Sequence, residues 1–286
     1  MFEGLALDTV RELHTLRATL SAWREGDAGI ALVPTMGALH AGHIALIEAA
    51  KRPGTKVVAS IFVNPTQFAA NEDLSRYPRR EAQDARMLAD AGCDLLWMPR
   101  VETMYPAGFA TTIAVAGVSE GLDGAARPGH FDGVATVVAK LFNQVRPDSA
   151  CFGEKDFQQL AVIRRLVADL DMAIEIVGVP TQRDDDGLAL SSRNIYLDEE
   201  QRARAVALPR ALGVAARAIA RGDDADTALA DARNALIAAG FEVDYVALAD
   251  AETLVENPAA GRPRRLLAAA RMGTTRLIDN IAVEDS

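Results

Sequence analysis

The residues best suited to chemistry gather first in Val33-Pro34-Thr35-Met36-Gly37-Ala38-Leu39-His40-Ala41-Gly42-His43. Two of the four histidines in the chain stand three residues apart here. Neutral imidazoles donate hydrogen bonds to phosphate oxygens, and protonated ones offset charge as pyrophosphate departs. Gly37 and Gly42 have the spacing of the two P-loop glycines, but His43 and Ile44 stand where Lys and Ser/Thr should follow, so a Walker cradle is excluded. What remains is a backbone able to approach a phosphate closely, opening a helix whose free N–H groups favour an anion. The competing reading is structural, with both histidines finishing a turn and capping a helix. A protein-only metal site is disfavoured, because no nearby Cys or carboxylate completes a ligand pattern.

Three further blocks carry convergent polar groups. Asn64 and Gln67, in Ser60-Ile61-Phe62-Val63-Asn64-Pro65-Thr66-Gln67-Phe68, offer amide donors and acceptors for a substrate with hydroxyls and a carboxylate, or else merely form a polar turn closed by Pro65. In Phe152-Gly153-Glu154-Lys155-Asp156-Phe157-Gln158-Gln159, Lys155 is a mobile point charge for a polyphosphate. There Asp156 suits a ribose hydroxyl and Gln159 a second polar substrate, although a helix capped by Asp156 is also compatible. In Gly187-Leu188-Ala189-Leu190-Ser191-Ser192-Arg193-Asn194, two hydroxyls followed by Arg193 can clamp phosphate. His130, in Arg127-Pro128-Gly129-His130-Phe131-Asp132-Gly133-Val134, reads first as the start of a helix.

The elements that must position these residues follow from periodicity. Apolar positions at Val10, Leu13, Leu16 and Leu20 predict a helix over 8–24, with Thr9 and Glu12 as a capping box. Buried strands are expected at 30–33, 56–63, 94–98, 149–152 and 174–179, separated by helices near 44–51, 79–91, 134–145 and 157–170. Strands apolar throughout and alternating with helices imply an α/β fold, a doubly wound parallel sheet covered on both faces. Ligands then belong at the carboxyl ends of the strands. After Pro180 the pattern changes to alanine-rich helices over 198–221 and 224–239, followed by strands near 241–249, 264–272 and 276–281. This suggests one domain over 1–180 and a smaller C-terminal α+β domain over 181–286. The acidic runs Asp184 to Asp186 and Asp223 to Asp224 read as solvated loop charges.

The composition of the whole chain narrows the function classes. Its 286 residues carry 30 basic and 40 acidic side chains, a formal net charge of −10, which argues against a nucleic-acid-coating surface. No apolar run approaches the ~20 residues of a membrane span. The start of the chain lacks the basic and apolar regions of a signal peptide, so a cytoplasmic location is expected. Cys93 and Cys151, each within an apolar stretch and outside any C-x-x-C pair, read as buried thiols.

The string Thr-Met-Gly-x-Leu-His-x-Gly-His resembles the HxGH signature of the nucleotidyltransferases related to class I aminoacyl-tRNA synthetases. Together with the other blocks, including Asp73-Leu74-Ser75-Arg76-Tyr77-Pro78-Arg79, it resembles the pantothenate synthetase family over roughly residues 2 to 282. The resemblance implies a Rossmann-like sheet and ATP-dependent condensation of D-pantoate with β-alanine, through a pantoyl adenylate, with release of AMP and pyrophosphate. It implies ATP as a substrate held by Pro34, Thr35, Met36, Gly42, His43, Gly153, Lys155, Asp156, Leu190, Ser191, Ser192 and Arg193. It places pantoate on Met36, Asn64, Gln67 and Gln159, and gives catalytic duty to His40, His43, Lys155 and Arg193. Asp84 matches a family carboxylate near Mg²⁺ and the phosphates, its plain alternative being an exposed helix charge. The C-terminal domain would act as a lid, and a homodimer is implied, with no nucleic-acid or membrane partner. Two departures are visible: Leu190 replaces a Met, a volume-conserving change, and Asp132 stands where the family has Arg, so no role is assigned there. Other readings are an HxGH nucleotidyltransferase that stops after moving a nucleotide, and a nucleotide-binding protein without chemistry. A tRNA synthetase fits less well, since the acidic chain shows no appended tRNA-binding module.

Overall fold

Ile30, Ala31, Leu32 and Val33 are completely buried, as a strand covered on both faces requires. The computed structural model describes residues 7–68, 74, 77–259 and 261–284; Asp73, Ser75 and Arg76 of the block quoted above lie outside them. In chain order the elements are β1 (Asp8–Val10), α1 (Leu13–Glu25), β2 (Gly29–Thr35), α2 (Ala41–Ala50), β3 (Thr55–Ile61), α3 (Glu81–Asp90), β4 (Leu95–Trp97), α4 (Val101–Met104), α5 (Asp123–Ala126), α6 (His130–Val145), β5 (Ser149–Gly153), α7 (Phe157–Asp169), β6 (Glu175–Val179), α8 (Glu199–Ala205), α9 (Ala207–Ala220), α10 (Ala225–Ala238), β7 (Glu242–Asp250), β8 (Arg264–Met272) and β9 (Thr275–Val283). They fall into two compact units. One takes the chain through Val115, then Pro128–Glu154 and Val162–Pro180; the other takes Ala116–Arg127, Lys155–Ala161 and the chain from Thr181 onward.

The first unit holds a parallel sheet in the order β1-β4-β3-β2-β5-β6. From β2 the chain moves outward through β3 and β4, then returns to place β5 and β6 on the other side of β2. This reversal opens a crevice at the carboxyl ends of β2 and β5. Pro34 belongs to that geometry. It has no N–H for a ladder, and pairing of β2 with β5 stops at Leu32, whereas pairing with β3 runs on to Thr35. One face of the sheet is sealed by Leu46, Ile47, Ala85 and Leu88 packed on Ala31, Val33, Val57, Ala59 and Leu96. From the α6 side, Gln144 accepts the indole N–H of the buried Trp97 at 3.0 Å.

One expected element boundary fails in this unit. The first helix starts at Leu13, not Asp8, and its N-cap Glu12 makes no side-chain capping bond. Glu12 pairs instead with Arg100. Asp8–Val10 forms an edge strand on β4, a pairing with residues far along the chain that overrides the local helical spacing.

The second unit is built on an antiparallel sheet, β7-β8-β9, with a bulge between Val243 and Tyr245. Leu212, Leu236, Leu266, Ala268, Met272 and Leu277 are among the residues that form its core. The single helix expected over 198–221 is two helices meeting at Val206. Pro209 explains the break. It cannot donate back to Ala205, and it sits in the first turn of α9, where a missing N–H is tolerated. The acidic runs also have work beyond solvation. Asp184 and Asp186 both pair with Arg202, at 2.8 and 2.7 Å, and Asp224 caps α10 by accepting from the Thr227 N–H at 2.8 Å.

Candidate active site

The loop after β2 turns sharply, with Gly37 at φ 82° and Ala38 at φ 52°. A side chain on Gly37 would meet the Asp84 carboxylate at 3.1 Å and Ile61 at 3.2 Å, so the position requires glycine on both counts. Asp84, only 2% exposed on α3, holds the turn: its two oxygens accept from the Ala38 and Leu39 N–H groups, each at 2.9 Å. This corrects the alternative reading of Asp84 as an exposed helix charge. The Thr35 hydroxyl braces the same turn, donating to Ser60 O at 2.8 Å and accepting from the Gly37 N–H at 3.2 Å.

His40 and His43 then form a reciprocal cap on α2. Nδ1 of His40 accepts from the Gly42 N–H at 3.1 Å, and Nδ1 of His43 accepts from the His40 N–H at 3.3 Å. The rings lie 4.1 Å apart between centroids. An Nδ1 that accepts carries no proton, so the neutral rings hold theirs on Nε2. One edge of each ring thus serves the helix, as the structural reading of the two histidines expected.

The loop after β3 places Gln67 beside Met36, with its Nε2 donating to the Met36 sulfur at 3.0 Å. Gln67 Oε1 accepts from Asn64 Nδ2 at 3.1 Å, which leaves the amide an N–H and a lone pair among the described residues. Asn64 has a different task from the one expected. It is 1% exposed; its Nδ2 also donates to Gly133 O at 3.1 Å, and its Oδ1 accepts from the Tyr105 hydroxyl at 2.7 Å, from Thr66 Oγ1 at 3.0 Å and from the Thr66 N–H at 3.3 Å. With both ends occupied, Asn64 orients Gln67 and has no group left for pantoate. Burial pushes the Tyr105 hydroxyl above its ordinary range, keeping it protonated as a donor. His130 begins α6 as read, and its Nδ1 also lies 2.8 Å from Gln67 O.

In the second unit the 155–157 turn is held from β9: Asn280 Nδ2 donates to Lys155 O at 2.8 Å. The Lys155 ammonium is 3.9 Å from the Asp156 carboxylate. Gln158 and Gln159 divide sharply. Gln158 is buried and fastens the 118–123 segment, donating to Val118 O and Gly121 O and accepting from the Asp123 N–H, each at 2.9 Å. Gln159, one residue on, is half-buried. Leu190 closes a hairpin, its N–H donating to Gln182 O at 2.9 Å. The Ser191 oxygen accepts from the Arg193 N–H at 3.2 Å, starting the short turn Ser192–Tyr196 and leaving its own O–H to donate.

The first unit thus brings Pro34, Thr35, Met36, His40, Gly42, His43, Gln67 and Gly153 to the carboxyl ends of its strands, with Asn64 and Asp84 behind them. Lys155, Asp156, Gln159, Leu190, Ser191, Ser192 and Arg193 belong to the second unit. Sequence reasoning missed Tyr105, Gln158 and Asn280 as supports. Both cysteines are buried, and burial raises each thiol to about 11, which keeps them un-ionised near neutral pH.

A family model described as pantoate-beta-alanine ligase matches residues 8–282. The pantothenate synthetase of Rhizorhabdus wittichii is 65% identical over 279 residues, covering 97% of this chain and 99% of that protein. That of Sphingopyxis alaskensis is 58% identical, covering 97% and 100%. Among solved structures, the pantothenate synthetase from Thermus thermophilus superposes with a TM-score of 0.92 at 49% identity, over 97% of this chain and 99% of that one. The pantoate-beta-alanine ligase from Francisella tularensis, solved with beta-gamma ATP and beta-alanine, gives 0.81 at 33% identity, over 98% and 99%.

Proposed function

Because the chain belongs to the pantoate–β-alanine ligase family, we propose that it joins D-pantoate to β-alanine with ATP by way of an enzyme-bound pantoyl adenylate. A carboxylate is a poor acyl donor because oxide would have to leave; adenylation replaces oxide with AMP. The pantoate carboxylate oxygen attacks the α-phosphorus in line, and the bond from that phosphorus to the bridging oxygen of pyrophosphate breaks. The neutral amine of β-alanine then attacks the acyl carbon, its proton is lost and AMP leaves.

The observation that carries this reading is the histidine cap. Two imidazoles are fixed by their Nδ1 atoms where the loop after β2 enters α2, which supports the reading that their Nε2–H groups donate to a phosphate whose charge grows in the transition state. Lys155 and Arg193 supply further positive charge, Gln67 and Gln159 orient pantoate, and Ser191 and Ser192 contact the phosphates. Pro34, Met36, Gly42, Gly153, Asp156 and Leu190 complete the ATP contacts, and Asn64 and Asp84 act behind the ligands. Removing one charge-stabilising donor is expected to cost on the order of 10² to 10³ in rate.

Magnesium enters this reading on the ATP phosphates, where it would screen their charge. Among the described residues there is no group of three or more His, Cys, Asp or Glu side chains suited to a metal; Asp84, whose oxygens already accept two backbone N–H groups, is the one protein carboxylate proposed near the ion, and no step is assigned to it. The lid role of residues 181–286, a homodimer, the absence of a nucleic-acid partner and a cytoplasmic location belong to the same proposal. Among the described residues, no helix is long and apolar enough to cross a membrane.

The test is exchange of labelled pyrophosphate into ATP, run without β-alanine. Exchange that requires pantoate is expected. A folded protein that binds ATP and shows no pantoate-dependent exchange would overturn the adenylate.

A further inference from the structure

Strand β9 carries two adjacent polar side chains, Asp279 and Asn280, each 3% exposed. Neighbouring residues on a strand face opposite ways, and these two serve different segments. Asp279 accepts two N–H bonds from Arg183, at 2.7 and 2.8 Å. Arg183 lies on the hairpin where it bridges to Ala189, and that hairpin runs directly into Leu190, Ser191, Ser192 and Arg193. Asn280 acts on the other segment. Its Nδ2 donates to Lys155 O at 2.8 Å while its Oδ1 accepts from Arg265 Nε at 2.6 Å, and the Arg265 guanidinium lies 3.9 Å from the Phe157 ring centre. One strand thus grips the two segments that carry Lys155 and Arg193, each through a buried polar side chain.

We infer that Asp279 and Asn280 form a positioning pair that fixes the Lys155 turn and the Ser191–Arg193 loop in one frame for the adenylation step. Neither side chain needs to touch a substrate. Their effect runs through backbone: a carbonyl of the Lys155 turn on one side, and on the other a hairpin strand already closed by the Leu190–Gln182 bond and held at its tip by Arg202. The paired geometry matters because a phosphate partner displaced by about 1 Å loses on the order of 10²-fold in rate. The inference rests on the proposed roles of Lys155 and Arg193, and the experiment separates the two.

Asn280→Asp keeps an acceptor for Arg265 and removes the donor to Lys155 O, while adding a negative charge that a second variant must control for. In the pyrophosphate-exchange assay its kcat is expected to fall about 10- to 100-fold, with the KM for pantoate nearly unchanged. Added to Lys155→Ala, Asn280→Asp should cost little more, because it acts through the residue already removed. Asp279→Asn should behave likewise against Arg193→Ala. Full activity of Asn280→Asp and Asp279→Asn, or losses that multiply independently with those of Lys155→Ala and Arg193→Ala, would overturn the pair as a positioning device. Thermal melting of each variant reports folding separately, and Asn280→Ala removes the same donor, together with the acceptor for Arg265, without adding a charge. If Lys155→Ala alone retains full exchange, the reading of Lys155 fails, and the inference fails with it for that identifiable reason.

Discussion

At the scale of single residues, the geometry assigns each group in the histidine loop one task. The imidazoles of His40 and His43 cap a helix with Nδ1, and the proposed function adds donation from Nε2 to a phosphate. Asp84 keeps the preceding turn in a left-handed conformation that Ala38 adopts at a cost. Asp84→Asn should therefore weaken catalysis without touching a ligand, because one amide N–H would then face an NH₂ group. We expect exchange to fall about 10- to 100-fold in kcat, with no recovery at high magnesium. A magnesium titration of exchange checks this, since a lost metal ligand would raise the magnesium requirement and be rescued by excess.

At the scale of elements, the helix α6 matters through one missing side chain. A Cβ on Gly133 would lie 2.5 Å from Thr66 O, 2.7 Å from Thr66 C and 2.8 Å from Gln67 Cα, all backbone. Only glycine lets α6 approach the turn that carries Gln67, and Asn64 then bonds to Gly133 O across the contact. Gly133→Ala should destabilise by about 1 to 3 kcal/mol through overpacking, lower the melting temperature, and raise the KM for pantoate as Gln67 shifts; calorimetry and exchange kinetics read the two effects. This is also where the sequence stopped being legible. Strands β2 to β6 announce themselves by apolar runs between amphipathic helices, and the HxGH and Ser-Ser-Arg-Asn strings mark the loops. Three-residue β1 has no periodicity of its own, Gly133 looks like any glycine in a helix, and Gln158 cannot be told from Gln159 without knowing which face of α7 is covered. Asn64 was found as a residue but given the wrong work, because a sequence shows that a polar group is present and not which buried groups already occupy it.

At the scale of the whole molecule, an excess of acidic groups has to be accommodated, and in the second unit arginines fasten carboxylates to the fold. Arg202 bridges Asp184 and Asp186, Arg276 joins Asp123 to Asp244 at 2.6 and 2.7 Å, and Arg262 holds Asp250 at 2.6 Å. Such pairs are invisible in composition, which reports only the sum of charges. They make stability depend on pH. Hydrogen bonding from the Arg262 guanidinium, foremost, holds the Asp250 carboxyl well below the usual carboxylate range, helped by the Thr253 and Glu252 N–H groups. A carboxyl depressed in the folded state adds stability that is fully present above its unfolded value of about 3.9 and is lost as pH falls toward and through the folded value. Asp250→Asn removes that titration. The melting temperature of the unaltered chain should therefore exceed that of Asp250→Asn by a constant margin from pH 7 down to about 4, and the margin should narrow below that. Melting curves of both proteins from neutral to strongly acidic pH decide it: a margin that stays flat through the acid range would mean that the Arg262 pair contributes no linked stability.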